Sequence, residues 1–244
     1  MKINRYSIIF IILLISSVCC SCGRRNRNRP QSRRQNTEIT RRVPKSEDIG
    51  NSHKKNGKAA MDGSEIFKKC SGAVFVILTS DGEQGFQGSG FFINSEGLAV
   101  SNYHVFKGTY QGQEQIKLLG SNQIYKVKSV IAKSEEEDYI LFVVDCKDVP
   151  YLPIAKQRPE VGDKVFAIGS PRGLENTFSS GEVSQWRDRN LMQTSALIDH
   201  GSSGGALINV YGEVVGITSG TFCDGSQANL NYAWSIDVIK PHLK

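Results

Sequence analysis

Long helical periodicity is scarce in this sequence of 244 residues, and no segment repeats at the period of a solenoid. The sequence therefore argues against a helical bundle or a repeat protein. Short segments rich in β-branched and aromatic residues occur instead, separated by turn signals such as Asp81-Gly82 and Gly162-Asp163. We predict an all-β fold with a short helix over residues 64–69 and another over residues 236–243.

Cysteine and histidine do not occur at the spacing of a zinc site, and we expect neither a metal nor another cofactor. Three of the six cysteines lie within the first 22 residues, and the others are Cys70, Cys146 and Cys223. Because three is an odd number, these three can form at most one intramolecular disulfide, and one thiol stays free.

The excess of basic charge is confined to the N-terminal part of the chain. Residues 23–62 hold 8 Arg and 4 Lys against 2 Glu and 2 Asp, with almost no aromatic residues, which is typical of a disordered linker. Residues 63–244 hold 16 basic and 20 acidic residues, so the net charge of +6 gives no argument for a nucleic-acid site there. The linker is either a tether attracted to anionic lipid or a solvated spacer.

The first 22 residues have the features of a targeting segment. Lys2 and Arg5 precede an apolar stretch over residues 7–18, which is too short for a comfortable membrane span of about 20 residues. Cys22 follows the small residue Ser21, as at the acylation site of a bacterial lipoprotein signal. A plain signal peptide and an uncleaved anchor are the alternatives, and all three place the protein outside the cytoplasm.

Three residues in the remaining 63–244 segment form a candidate nucleophilic triad. His104 ends an apolar run that begins at Leu98, Asp138 opens the strand-like run to Val144, and Ser203 lies in Gly201-Ser202-Ser203-Gly204-Gly205. A histidine can take the serine proton, and a carboxylate can fix the histidine tautomer. Each motif alone has a plainer explanation, such as a core histidine or a flexible linker, but the combination favours catalysis. The main-chain N–H groups of Gly201 and Ser203 would stabilise the oxyanion, at roughly 3 kcal/mol per donor.

Four stretches of the chain resemble the HtrA/Deg branch of the chymotrypsin-like serine proteases. They are residues 88–93 with 97–104 around the histidine, 137–141 around the aspartate, 161–177, and 194–207 around the serine. The resemblance implies two six-stranded antiparallel barrels, over about 63–152 and 153–244, with the active site between them. It also implies polypeptide substrates and a homotrimer as one form of assembly. Since the chain ends at Lys244, we expect no peptide-binding PDZ domain after the protease.

The resemblance also assigns the substrate-binding residues. Leu197, six residues before the nucleophile, would form the base of the primary pocket and favour small or medium aliphatic side chains. Thr218, Ser219, Gly220 and Thr221 would form the opposite wall and pair with the substrate backbone, and Ser219 could also hydrogen-bond Asp138. His200 stands where the family usually has proline, and it is either a surface substitution or part of the cleft. If the Asp199 carboxylate turned into the pocket, basic side chains would be preferred instead.

Two functions are consistent with these residues. The first is an exported serine endopeptidase acting on unfolded or damaged proteins. The second is a catalytically silent peptide-binding module on the same fold. A silent relative typically lacks a triad member, whereas this chain retains all three.

Overall fold

The computed structural model describes residues 58–110, 112–170, 176–199, 201–221 and 230–243, with only the backbone of Thr221. One α-helix, α1 (Gly63–Cys70), and thirteen strands run through these residues. The strands are β1 (Val74–Ser80), β2 (Gly85–Phe92), β3 (Leu98–Ser101), β4 (Gln115–Leu118), β5 (Ile124–Tyr125), β6 (Val127–Ser134), β7 (Tyr139–Val144), β8 (Lys164–Gly169), β9 (Thr177–Trp186), β10 (Leu191–Thr194), β11 (Ala206–Asn209), β12 (Val214–Thr221) and β13 (Asn231–Ser235). Short 3₁₀ helices cover Ser71–Ala73, Tyr103–Val105 and Ile236–His242.

Helix α1 begins at a capping box. The Asp62 carboxylate accepts a hydrogen bond from the Glu65 N–H at 2.9 Å, and the Glu65 carboxylate accepts one from the Asp62 N–H at 2.9 Å. The bond from the Glu65 N–H lowers the pKa of Asp62 below its ordinary value. The side chains of Ile66 and Cys70 are buried and pack the helix against the core. The predicted helix over 64–69 is therefore confirmed, while the predicted C-terminal helix is a 3₁₀ helix that includes Pro241.

The first barrel is a seven-stranded antiparallel sheet in the order β5-β4-β1-β2-β3-β7-β6. Its two end strands, β5 and β6, are separated in the chain by Lys126 alone. One bent segment therefore pairs with β4 through its first part and with β7 through its second, which brings the two edges of the sheet together. The break at Lys126 accounts for the seventh strand in a barrel predicted to have six.

The second barrel is a closed six-stranded antiparallel sheet in the order β10-β13-β12-β11-β8-β9. The prediction of an all-β fold is confirmed, with this sheet as a closed barrel and the first as a half-barrel of seven strands. Each barrel has its own apolar interior, centred on Phe92 and Phe142 in the first and on Val165 and Met192 in the second. A larger cluster joins buried side chains from both barrels, from α1 and from the C-terminal 3₁₀ helix. The junction of the barrels is thus a packed interface on which a site can be held rigidly.

A polar network ties the second barrel to the first at the turn before β7. Asn190, between β9 and β10, donates from Nδ2 to Glu137 Oε1 at 2.5 Å and accepts from Arg158 Nη2 at 2.7 Å. Arg158 Nε also donates to Asp237 Oδ2 at 2.5 Å. Burial raises the pKa of Asp237, but hydrogen bonds from Lys240 and Arg158 outweigh burial and hold that pKa below its ordinary value. The network connects both barrels, the segment between them and the C-terminal 3₁₀ helix.

We expect Asn190→Asp to lower the free energy of unfolding by about 1 kcal/mol, because a carboxylate then faces Glu137 in place of an N–H donor. Glu137→Gln in the same chain should recover most of the loss, since the glutamine amide can donate to the new carboxylate. Urea unfolding of the wild type, both single variants and the double variant measures the coupling. Glu136→Gln is the matched control, because Glu136 is exposed. Strictly additive single effects would contradict the network.

Candidate active site

His104 and Asp138 are in direct contact at the edge of the first barrel. His104 Nδ1 lies 2.8 Å from Asp138 Oδ2, and the His104 main-chain N–H donates to Asp138 Oδ1 at 2.9 Å. Ser219, on β12 of the second barrel, donates its hydroxyl to Asp138 Oδ2 at 2.7 Å, as the sequence predicted. A carboxylate accepts hydrogen bonds, so this contact favours the ring tautomer with its proton on Nδ1, and that tautomer leaves Nε2 available as a base.

Asp138 has a left-handed backbone, with φ of 44°. Aspartate tolerates this conformation better than most residues. The Nδ2 group of the fully buried Asn102 donates to the Asp138 carbonyl at 2.8 Å and holds this geometry. Among the described residues, the buried Asn102 Oδ1 has no hydrogen-bond partner. Sequence reasoning missed Asn102, although a polar residue within the apolar run before His104 was a usable signal.

The loop that carries Ser203 turns sharply beside these residues. Gly201 and Gly204 have φ of 92° and 85°, values that favour glycine. A Cβ atom at Gly204 would lie 2.2 Å from the Ser89 carbonyl oxygen and 3.0 Å from the Asn102 nitrogen. Only glycine therefore lets the loop approach the segment that leads to His104. Ser203 Oγ lies beside Gly220 of β12, 3.6 Å from where a Cβ atom would stand.

The groups expected to react have no competing partner in the part of the chain that the structure describes. Among the described residues, the Ser203 hydroxyl and the His104 ring nitrogen Nε2 have no hydrogen bond, either to each other or to another group. The main-chain N–H groups of Gly201 and Ser203 likewise have no acceptor among the described residues. These two N–H groups are therefore available to an acceptor from outside the described residues, and a hydrogen bond between serine and histidine often tightens only when substrate binds.

The residues predicted to bind the substrate differ in how accessible they are. The side chain of Leu197 is 65% exposed between the buried Ala196 and Ile198, so it is open to a bound side chain. Thr218 was expected to pair with the substrate backbone. Its main-chain groups bond to Gly204 and Gly205 instead, and its hydroxyl donates to the Ser202 carbonyl.

Beyond Thr218, β12 pairs with β13 on one edge, and in the described residues no strand covers the other edge of Ser219 and Gly220. That edge is available to an extended peptide. The side chain of Thr221 and the whole of His200 lie outside the described residues, as does Cys22.

Neither of the two cysteines that the structure describes is placed to react. Cys70 is buried and Cys146 is half-buried, and both are free thiols, while Cys223 lies outside the described residues. Burial raises the pKa of Cys146 to about 11, so the reactive thiolate is scarce at neutral pH. Within the described ranges, no group of acidic, histidine or cysteine side chains is arranged to hold a metal ion. No helix in those ranges has the length and apolarity to cross a membrane.

The chain is similar to known serine proteases in sequence. A family model for the Trypsin-like peptidase domain matches residues 88–217. A probable periplasmic serine endoprotease, DegP-like, of Hahella chejuensis is 34% identical over 161 residues, or 62% of this chain and 33% of the relative. A protein of the same description from Halomonas elongata is 34% identical over 71% of this chain and 40% of the relative. Serine protease HTRA1B of Danio rerio is 35% identical over 54% of this chain and 30% of the relative.

The chain thus spans about a third of the length of the curated relatives it matches. Among solved structures, the serine endoprotease from Yersinia pestis is similar, with a TM-score of 0.66 at 25% sequence identity over 75% of this chain and 66% of that chain. The matched residues 88–217 contain His104, Asp138 and Ser203 as well as most strands of both barrels. This chain belongs to the trypsin-like peptidase family, and within it the chain is HtrA/Deg-like.

Proposed function

We propose that this chain is an exported serine endopeptidase that hydrolyses peptide bonds of unfolded or damaged proteins. The observation that carries the proposal is the contact between His104 Nδ1 and Asp138, beside a glycine-rich loop whose Gly201 and Ser203 N–H groups have no acceptor among the described residues. The relatives named as serine endoproteases support the same reaction class.

In the proposed mechanism, Ser203 Oγ attacks the carbonyl carbon of the scissile bond while His104 Nε2 takes the hydroxyl proton. The Asp138 carboxylate stabilises the resulting imidazolium, and the N–H groups of Gly201 and Ser203 bind the oxyanion. The imidazolium then protonates the departing amine, which leaves an acyl group on Ser203. His104 next activates a water molecule, which hydrolyses the acyl ester and restores the serine.

A catalytically silent peptide-binding module is the alternative, and the open edge of β12 would serve it equally well. The two functions differ in one observable. Incubation of the full chain with unfolded casein should release new peptides if the first is right, and should leave the casein intact if the second is right.

We expect cleavage after small or medium aliphatic residues such as Val, Ala, Ile or Leu. The exposed Leu197 side chain offers an apolar contact, at about 0.8 kcal/mol per buried methylene, whereas an unpaired Lys or Arg there would lose its hydration. Mass spectrometry of peptides from a digested unfolded protein identifies the residue before each cut. A majority of cuts after Lys or Arg would show that Leu197 is not the base of the pocket.

We further propose that the chain is a lipoprotein of a bacterial cell envelope, acylated at Cys22 and facing the periplasm. The relatives described as periplasmic support export, and the Ser21-Cys22 pair after an apolar stretch supports acylation. A palmitate analogue should label the full-length protein, and Cys22→Ala should remove the label while Cys20→Ala retains it. A soluble, unlabelled mature protein would leave a plain signal peptide as the explanation.

A further inference from the structure

Ser89 makes four hydrogen bonds at the junction of the barrels and is fully buried in β2. Its N–H donates to the Ser203 carbonyl at 2.8 Å, and its hydroxyl donates to the Gly201 carbonyl at 2.7 Å. The same hydroxyl accepts from the Ser170 N–H at 2.8 Å, and the Ser89 carbonyl accepts from Ser101 Oγ at 2.7 Å. Every donor and acceptor of Ser89 is therefore engaged, and two of its bonds go to the nucleophile loop.

These two bonds hold the loop on both sides of one peptide unit. This is the peptide unit that joins Ser202 to Ser203, and it carries the Ser203 N–H. Ser89 binds the Gly201 carbonyl before this unit and the Ser203 carbonyl after it. The carbonyl of this unit, Ser202 O, accepts from Thr218 Oγ1 at 2.7 Å and from the Gly205 N–H at 2.9 Å. Because N–H and C=O point in opposite directions across a trans peptide, fixing Ser202 O also fixes the direction of the Ser203 N–H.

We propose that Ser89 is a positioning residue that keeps the Gly201 and Ser203 N–H groups directed at the oxyanion. The proposal rests on the proposed function of the site, since it concerns how that site is kept competent. Ser89 acts through the loop and does not touch the reacting atoms.

The hydroxyl of Ser89 is required because it donates and accepts at once. Alanine in its place would leave the part-buried Gly201 carbonyl without its donor and the buried Ser170 N–H without its acceptor. Gly201 has no side chain to restrain it, and its φ of 92° is one of several conformations open to glycine. Without the Ser89 hydroxyl, the loop can rotate and turn its N–H groups away from the oxyanion.

The test compares Ser89→Ala with Thr79→Val in the full chain. Thr79 is the control for the nucleophile loop, because it is 4% exposed and its hydroxyl donates at 3.0 Å to the carbonyl of Val105, in the 3₁₀ helix that contains His104, and not to the loop. Both variants remove one buried hydroxyl that bonds to a main-chain carbonyl, but Ser89→Ala also removes the acceptor of the Ser170 N–H, so its loss of stability should be the larger of the two.

We expect Ser89→Ala to slow labelling by a fluorophosphonate probe and to lower kcat on a peptide substrate by roughly 10- to 100-fold, with KM little changed. Thr79→Val should lower kcat less than Ser89→Ala does, because it removes a bond to the residue after His104 and none to the nucleophile loop. Hydrogen exchange gives a readout that does not need activity. The Gly204 and Gly205 amides donate to Thr218 O and Ser202 O, respectively. Their exchange rates should be roughly tenfold higher in Ser89→Ala than in the wild type and should not change in Thr79→Val.

Equal kcat and equal amide exchange in the two variants would overturn the role of Ser89, as would faster exchange with no loss of kcat. A wild-type chain that the probe does not label would instead refute the proposed endopeptidase. In that case the exchange of Gly204 and Gly205 still decides whether Ser89 holds the loop.

Discussion

Ser203→Ala should lower kcat on casein or a peptide substrate by about 10⁶-fold, because the variant has no atom that can form the acyl ester. The fold should be unaffected, since in the described residues the Ser203 hydroxyl has no hydrogen bond to lose. Turnover by the purified full-length chain gives the first quantity, and thermal unfolding gives the second.

Ser202→Ala is the matched control for Ser203→Ala. It removes a hydroxyl from the adjacent residue of the same loop and keeps the Ser202 carbonyl that Thr218 and Gly205 bind. Its kcat should stay within a few-fold of the wild type. If Ser203→Ala kept wild-type activity and Ser202→Ala did not, the nucleophile would have been assigned to the wrong serine.

Asp138→Asn should lower kcat by about 10⁴-fold with little change in stability. An asparagine amide directed at His104 Nδ1 donates a proton where the carboxylate accepts one, so it favours the wrong tautomer of the ring. Asparagine suits the test because it tolerates the left-handed backbone, with φ of 44°, that Asp138 adopts. Steady-state kinetics of the wild type and the variant under the same conditions measures the effect.

Ser219→Ala is the graded comparison for Asp138→Asn. It removes one donor to the Asp138 carboxylate but leaves the two bonds from His104 in place. Its effect should therefore be smaller than that of Asp138→Asn, at roughly tenfold for one hydrogen bond to a charged group. An Asp138→Asn variant within tenfold of the wild type would show that the His104–Asp138 contact does not serve catalysis.

The all-β class could be predicted because its signals are local, whereas the two barrels were implied by the resemblance to the HtrA/Deg proteases. Short β-branched segments separated by turns reappear as strands such as β7 and β8, and Asp62 with Glu65 forms the cap that starts α1. The break at Lys126 between β5 and β6 could not be predicted, since it arises where the sheet bends back on itself. The C-terminal segment is a 3₁₀ helix, with Pro241 inside it.

The residues that orient the candidate site are less recognisable in the sequence than those expected to react. Ser89 contacts Gly201 across 112 positions, and Asn102 contacts Asp138 across 36, so neither pair has a sequence spacing to recognise. Thr218 was expected to face the substrate, but its hydroxyl and main chain bond to the nucleophile loop instead. A sequence motif identifies chemically reactive side chains, whereas the hydrogen bonds that orient them depend on which strands meet at the barrel junction.

The most direct test of the proposed nucleophile is labelling of the purified full-length chain with a fluorophosphonate probe, followed by mass spectrometry of the modified peptide. An activated serine attacks the phosphorus atom, displaces fluoride and keeps the phosphonyl group, whereas an ordinary serine does not react at a useful rate. We predict one modified residue in the wild type, Ser203, and no modification of Ser203→Ala or of a heat-unfolded sample. A native wild-type chain that remains unlabelled, or one labelled at another serine, would contradict the assignment of Ser203 as the nucleophile.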